Sequence, residues 1–298
     1  MDRLSKILSN EKILLNELMK EHTTFHIGGP ADIMVLPETE EDLVQIIRLC
    51  NELGRNFFVL GGGSNILVPD EGLREIVIKL GDNYSKFRIE GTSVEAESGI
   101  RLTALSNRIL EAGLTNFEFA SGIPGTVGGG VYMNAGAYDG EMKQIVKSVR
   151  VLDRRGDVHE YSNEEMAFGY RHSEAMTRGD IITKVRFELQ KGDPRAIKAK
   201  IDELTEKRTS KQPLTEYSAG STFKRPVGHF AGKLIQDAGL KGFSIGEAKV
   251  SEKHSGFVIN KGNCSYREMV AFIEEIKRRV YEHSGVMLEE EVRILGKK

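Results

Sequence analysis

Two clusters of glycine constrain this chain more than any other feature. One is Gly61-Gly62-Gly63-Ser64-Asn65; the other runs from Ser121 to Gly130 as Ser-Gly-Ile-Pro-Gly-Thr-Val-Gly-Gly-Gly. The chain has 32 glycines in 298 residues, above the roughly 7% of an average protein. The excess is concentrated in two short stretches. That points to backbone closely approached by a ligand, not to a linker.

The first cluster follows Phe57 to Leu60, a short apolar run that reads as a buried strand. Three successive residues without Cβ let backbone N–H groups converge on an anion, as in a nest. A Rossmann fingerprint would need a third glycine where Ile66 stands, and Ile66-Leu67-Val68-Pro69 reads as extended. No Gly-Lys-Ser/Thr follows either cluster, which excludes a P-loop. Alone, this loop reads equally well as a glycine-rich turn with no ligand. In the second cluster Pro124 sets a turn, and Thr126 is placed to cap a helix beginning in the glycines. A helix start with bare backbone is a natural anion site. Together the loops suit a long, diphosphate-bearing cofactor. The competing reading is tight packing of a helix on a sheet.

The hydrophobic fraction is 39% and the charged fraction 29%, a balance that argues against a disordered or membrane protein. With 42 basic and 44 acidic groups the net charge is −2. No global basic field recruits nucleic acid, so local groups must hold any anionic ligand. Cys50 and Cys264 lack CxxC spacing, so neither a disulfide framework nor a zinc site is supported, and no metal is expected. The first twenty residues interleave charge throughout, with no apolar core of a secretion signal. No run of about 18 apolar residues exists, so no membrane partner is expected and a cytoplasmic home is the simplest.

Along the chain, the apolar spacing of Leu43, Ile46, Ile47, Cys50 and Leu53 predicts a helix from Thr39 to Gly54. Thr39 and Asp42 resemble a capping box, with Gly54 as the stop. Strands are expected at Ile66 to Val68, Glu75 to Leu80, Ser93 to Ser98 and Ile181 to Leu189, and a hairpin around Arg154-Arg155-Gly156. A helix from Arg101 to Ala112 ends at Gly113, and Ser162 with Glu165 caps a short one. Pro194 to Arg208 reads as a charged amphipathic helix with Ile197, Ile201 and Leu204 inward. Beyond it come a helix near His229 to Ala238, a strand near Phe257, a helix from Ser265 to His283 capped by Ser265 and Glu268, and a last strand from Val286 to Leu295. In that strand a period of two puts Val286, Leu288, Val292 and Ile294 on one face, with Glu289, Glu291 and Arg293 on the other. The fold class is α+β, with a larger N-terminal ligand-binding part and a smaller C-terminal part.

Several motifs, in order, resemble the UDP-N-acetylenolpyruvoylglucosamine reductase (UDP-N-acetylmuramate dehydrogenase) family over nearly the whole chain. They are His22-Thr-Thr-Phe-His-Ile-Gly-Gly-Pro-Ala-Asp32, the Gly61 to Asn65 loop, and the Ser121 to Gly129 loop with Asn134 to Tyr138. They continue through Phe168-Gly-Tyr-Arg-His-Ser173, Ala219-Gly-Ser-Thr-Phe-Lys224 and Leu288 to Gly296. The resemblance implies a vanillyl-alcohol-oxidase (PCMH) type FAD-binding fold with a separate C-terminal α+β substrate domain. The implied domains are residues 1–78 and 79–195, two FAD-binding subdomains, and 196–298, a substrate-binding domain. It implies NADPH-dependent reduction of UDP-N-acetylglucosamine enolpyruvate to UDP-N-acetylmuramate in peptidoglycan synthesis, with FAD bound noncovalently although His22 and His26 lie near.

The resemblance further implies FAD contacts at Gly61, Gly62, Gly63, Ser64, Asn65, Ser121, Gly122, Ile123, Gly125, Thr126, Gly128 and Gly129. Arg171, Ser221 and Glu291 would be catalytic, and Lys211 and Arg293 would bind substrate. Read without the family, Ser221 is a turn serine, Arg171 a surface cation, and Glu291 with Arg293 a solvated ion pair. The short segment after Arg171 places the chain in the branch lacking a tyrosine-bearing insertion over the substrate, so no tyrosine contact carries over. Arg225 stands where some members have asparagine. Two other classes compete: a different FAD-dependent oxidoreductase of the same fold, and a flavin-binding protein without catalysis.

Overall fold

The computed structural model describes residues 2–296, so Met1, Lys297 and Lys298, at the ends of the expected first and last domains, lie outside the described residues. The chain forms two compact units. The first comprises Met1–Leu15, Ile33–Gly62 and Glu75–Lys207; the second comprises Asn16–Asp32, Gly63–Arg74 and Arg208–Lys298. A four-stranded sheet takes the order Ile13–Leu18, Pro30–Val35, Leu73–Lys79, Phe57–Leu60. Its last pair is parallel, with Phe57 opposite Ile76 and Leu60 opposite Lys79.

In the first unit, helix α1 (Glu40–Glu52) starts where Thr39 accepts the Asp42 N–H at 3.1 Å and Asp42 accepts the Thr39 N–H at 3.0 Å. The shorter aspartate therefore completes the box. Leu43, Ile46, Ile47 and Cys50 are fully buried along one face, in a cluster with Phe57, Ile78 and Leu152. Gly54 ends the helix at φ +59°, a conformation that glycine adopts without a Cβ penalty.

The same unit holds a five-stranded antiparallel sheet in the order Val158–Ser162, Val146–Leu152, Ile181–Glu188, Ser93–Glu97, Phe87–Glu90. Strand alternation gives it two unlike faces. One carries Val94, Val149, Val185 and Phe187 into a core with helices α2 (Leu102–Glu111) and α3 (Val127–Tyr132). The other carries Glu95, Arg150, Lys184 and Arg186 around an open cavity of about 350 Å³. Those charges pair with one another: Arg150 forks onto Glu40 at 2.8 and 2.9 Å, and Glu95 takes Lys184 at 3.1 Å and Arg186 at 3.4 Å. Hydrogen bonds from Arg150, with a smaller one from Thr183, hold the Glu40 carboxyl below its ordinary value. After helix α4 (Glu174–Arg178), helix α5 (Pro194–Lys211) buries Ile197 and Leu204, whereas Ile201 is half-buried.

The second unit packs helices α6 (Ala231–Asp237) and α7 (Tyr266–Ser284) with a three-stranded antiparallel sheet, Ser244–Ile245, Ala248–Val250, Val258–Asn260. Ser265 and Glu268 close the expected capping box, and Gly285 stops α7 at φ +69°. Met269, Phe272, Ile273, Ile276 and Val280 line its buried face, in one core with Phe223, Ile235 and Val258. Both cysteines are buried; burial pushes the Cys50 thiol up to about 11 and the Cys264 thiol up to about 12. A free thiol held protonated in this way is a packing residue, not a nucleophile.

Two local expectations need correction. Ser162 and Glu165 exchange the hydrogen bonds of a capping box, at 2.8 and 3.2 Å, but no helix follows. The chain makes a single turn and leaves it at Ala167, φ +42°. The segment from Val286 to Leu295 is not one strand. Only Arg293–Ile294 forms a ladder, parallel to Ile66–Leu67, and Glu290 makes an isolated bridge to Phe223. The alternation survives nonetheless: Leu288 and Val292 are buried, and Glu289 and Arg293 are exposed.

Candidate active site

Within the first unit the two glycine loops meet backbone to backbone. A Cβ on Gly62 would stand 2.8 Å from the Gly125 Cα, and one on Gly61 would stand 2.6 Å from the Thr126 hydroxyl oxygen. Neither position admits a side chain without displacing the other loop. Gly125 also sits at φ +115°, where only glycine is comfortable.

The N–H groups of the two loops differ in what they can still hold. Thr126 caps α3 as expected, accepting from Gly129. The bare helix start, however, is not bare. Val127 donates to the Ile100 carbonyl at 2.8 Å, Gly128 to Ser98 at 2.8 Å, and Gly130 to Thr126 at 2.8 Å. Ser121 and Ile123 donate into the preceding turn, to Glu118 and Ala120. Among the described residues, by contrast, the N–H groups of Gly61, Gly62 and Gly125 donate to no protein acceptor. Gly61 and Gly125 are half-buried and Gly62 is exposed; half-buried donors are rarely left so. An anion with several acceptor oxygens, such as a diphosphate, would satisfy them.

Steric need separates the second-loop glycines as well. A Cβ on Gly128 would press on Ser98 at 2.6 Å, and one on Gly130 would press on Leu102 at 3.0 Å. Gly129 has no such reason. It is exposed, its φ is helical, and a Cβ there would meet only the Thr126 hydroxyl, at 3.7 Å. Glycine in a helix is worse than alanine by about 1 kcal/mol, and no described neighbour within the protein accounts for it. Both observations fit a cofactor lying along these loops.

Arg171 belongs to the same unit and stands in a tight turn closed by Gly169 and His172. Its φ of +54° is left-handed, a strain of about 1–3 kcal/mol for a non-glycine residue. The surroundings enforce it. Asn134, 1% exposed, donates to the Gly169 carbonyl at 2.9 Å, and buried Ser173 donates to the Tyr132 carbonyl at 2.7 Å. Asn134 also accepts the Lys143 N–H at 2.9 Å. The guanidinium lies 5.0 Å from the Tyr170 ring centre. Asn134 and Ser173 enter the sequence reading only as members of motifs. Their anchoring role rests on partners up to 41 residues away, which no local pattern reveals.

In the second unit Gly63 continues the first loop at φ +63°, where a Cβ would overlap the His22 carbonyl oxygen. Ser64 is half-buried, and Asn65 turns to the C-terminal segment. The Asn65 amide donates to the Glu291 carbonyl at 3.2 Å, and the Asn65 carbonyl accepts the Arg293 N–H at 3.0 Å. Ser221 is half-buried, and among the described residues its hydroxyl makes no protein hydrogen bond. The next residue, Thr222, is 1% exposed, and its carbonyl accepts the Glu291 N–H at 2.9 Å. Ser221, Glu291 and Arg293 are thus assembled by main-chain bonds. Lys211 is exposed at the end of α5, and Arg225 stacks on Phe230 at 3.9 Å. His22 pairs with Glu17 at 2.8 Å, and His26 stacks on Tyr217. Among the described residues no group of three or more His, Cys, Asp or Glu side chains could hold a metal.

The comparisons bear on what this arrangement belongs to. An FAD binding domain family matches residues 31–162. A solved alkyldihydroxyacetonephosphate synthase shares the fold, at TM-score 0.51 and 17% identity over 64% of this chain and 40% of that one. The chain is an FAD-dependent oxidoreductase of the vanillyl-alcohol-oxidase (PCMH) fold class, with a C-terminal α+β domain. The family of the UDP-N-acetylenolpyruvoylglucosamine reductase C-terminal domain matches residues 212–295. The reductase of that name from Clostridioides difficile (strain 630) is 51% identical over 98% of this chain and 96% of its own length. That from Caldanaerobacter subterraneus subsp. tengcongensis is 48% identical over 100% and 98%. The crystal structure of the Thermus caldophilus reductase aligns at TM-score 0.80 and 36% identity, covering 95% of this chain and 97% of that one. The chain belongs to the UDP-N-acetylenolpyruvoylglucosamine reductase family.

Proposed function

We propose that this chain reduces UDP-N-acetylglucosamine enolpyruvate to UDP-N-acetylmuramate, with NADPH as the reductant, in peptidoglycan synthesis. The observation that carries the reading is the Ser221-Thr222 junction, where a residue with an uncommitted hydroxyl adjoins the one whose carbonyl holds Glu291 at 2.9 Å. Gly61 to Asn65, with Ser121, Gly122, Ile123, Gly125, Thr126, Gly128 and Gly129, would hold FAD noncovalently, and the flavin would supply hydride chemistry toward the methylene carbon of the enolpyruvyl group, with NADPH as the hydride source. The three segments of the family, 1–78, 79–195 and 196–298, then divide cofactor binding from substrate binding.

The chain's own residues do the rest. Hydride addition leaves enolate charge on the neighbouring carbon and its carboxylate. The Arg171 guanidinium, a planar fork of N–H donors, pins that carboxylate and stabilises the charge. Ser221 donates the proton that completes the lactyl ether, and Glu291 assists the transfer. Arg293 contacts the substrate, and Lys211 binds its diphosphate as a mobile point charge. Among the described residues no helix is long and apolar enough to cross a membrane, and a cytoplasmic site of action is part of this proposal.

Anaerobic spectroscopy tests the reading. NADPH should bleach the flavin, the enolpyruvyl sugar nucleotide should restore its absorbance, and simple alcohols should leave oxidised flavin unchanged. Reduction by alcohols would indicate another oxidoreductase. Flavin that ignores NADPH would indicate a binding protein without catalysis.

A further inference from the structure

We propose that Asn65 is a positioning residue for Glu291, so that the tail of the first glycine loop sets the geometry of protonation. The inference deepens the reading above and rests on its assignment of Glu291. Asn65 is 226 residues from Glu291 in sequence, yet its amide donates to the Glu291 carbonyl at 3.2 Å. Its own carbonyl accepts the Arg293 N–H at 3.0 Å, so one residue brackets Val292 from both sides. Ile66 and Leu67 then run parallel to Arg293 and Ile294, and Leu295 donates to the Leu67 carbonyl at 3.0 Å.

The opposite side of Glu291 is held just as firmly. Its N–H donates to the Thr222 carbonyl at 2.9 Å. Thr222 is itself locked: its N–H donates to Gly256 at 2.9 Å, and its hydroxyl accepts the Val258 N–H at 3.0 Å. The Glu291 residue is therefore gripped at its N–H by the neighbour of Ser221 and at its carbonyl by Asn65. With both ends tied, the direction of its Cα–Cβ bond is set, and with it the point from which the carboxylate reaches out. Of the two grips only Asn65 acts through a side chain, so it is the one substitution can release. The Asn65 amide carries two N–H donors; the one that reaches the Glu291 carbonyl is committed, and the other stays open to a cofactor oxygen.

Asn65→Asp is the sharpest test, because it keeps the shape and replaces the amide donor with an oxygen that repels the Glu291 carbonyl. Asn65→Ala removes the donor without adding repulsion. Both half-reactions are followed anaerobically by flavin absorbance, with FAD affinity measured on the same samples. With each sample saturated with FAD, the expected result is reoxidation by UDP-N-acetylglucosamine enolpyruvate slowed about 10- to 100-fold in N65D, the scale of a misplacement of about 1 Å, and slowed several-fold more than reduction by NADPH. N65A should fall between N65D and the parent, and it carries the test alone should N65D not fold. Unchanged reoxidation, or equal losses in both half-reactions, overturns the proposal. A loss of FAD affinity with no separation of the two half-reactions makes Asn65 a cofactor ligand alone and also overturns it. Parent enzyme that the enolpyruvyl nucleotide cannot reoxidise removes the underlying reading instead, and the proposal falls with it.

Discussion

The two glycine loops look alike as sequence and do different work as structure. The second, Gly125 apart, spends its backbone on the protein: Gly128 lets α3 sit on Ser98, Gly130 makes room for Leu102, and the first N–H groups of α3 are bonded to carbonyls of the Ser98 to Ile100 segment. The first keeps the N–H groups of Gly61 and Gly62 clear of acceptors among the described residues, and its tail at Asn65 reaches the segment that carries Glu291. A glycine cluster is thus not one signal. Some of its members serve packing, some leave N–H groups open to an anion, and the hydrogen-bond accounting separates them.

The comparison can be broken or sharpened by substitution. The largest effect should come from a residue in neither loop. Ser221→Ala leaves both loops intact, so FAD binding and NADPH reduction should persist while reoxidation by substrate falls by about 10²- to 10⁴-fold, as expected for loss of a general acid. Single-turnover absorbance at the flavin band measures both; normal turnover would take Ser221 out of the mechanism. Next is Gly128→Ala. Its Cβ would stand 2.6 Å from the Ser98 Cβ, and overpacking of this kind costs about 1–3 kcal/mol. Thermal unfolding of the flavin-free protein should show the loss, since the clash is with protein and not with FAD. An unshifted melting temperature would mean that the second loop's glycines are not there for packing.

A smaller effect should mark the charged face of the five-stranded sheet, whose cavity is lined by no residue of either glycine loop. Glu40 is held below its ordinary carboxyl value of 4.5 chiefly by its hydrogen bonds to Arg150. A depressed carboxyl stabilises the fold above about 4.5 and loses that contribution as pH falls through the lowered folded value. Glu40→Gln should therefore lower stability near neutrality by about 1 kcal/mol, as for a half-exposed ion pair of good geometry, and match the parent in acid. Chemical denaturation across pH reads this directly. A deficit that persists at pH 3 would show that the pair's charge is not the source.

Much of this was legible in the chain itself. The capping boxes at Thr39 and Ser265 and the glycine stops at Gly54 and Gly285 formed as expected, because caps are local chemistry. The same local signal at Ser162 overreached: its cap hydrogen bonds formed, but the chain turned away at Ala167 before a helix could propagate. One closed turn does not offset the entropy of helix nucleation. The terminal segment kept its alternation yet lost its ladder, since most of Val286 to Leu295 has no neighbouring strand to pair with. At the candidate site the residue types were legible and the couplings were not. The left-handed turn at Arg171, the Asn134 anchor and the Asn65 grip on Glu291 all depend on partners distant in sequence.

Gly129→Ala bears most directly on the claim that FAD lies along these loops. The protein leaves space for that Cβ, with the Thr126 hydroxyl at 3.7 Å its nearest neighbour. The substitution should raise the stability of the flavin-free protein by up to about 1 kcal/mol and weaken FAD binding in the same preparation. A gain in both stability and FAD affinity, or unchanged affinity, would contradict the account, because Gly129 would then have no ligand to make room for.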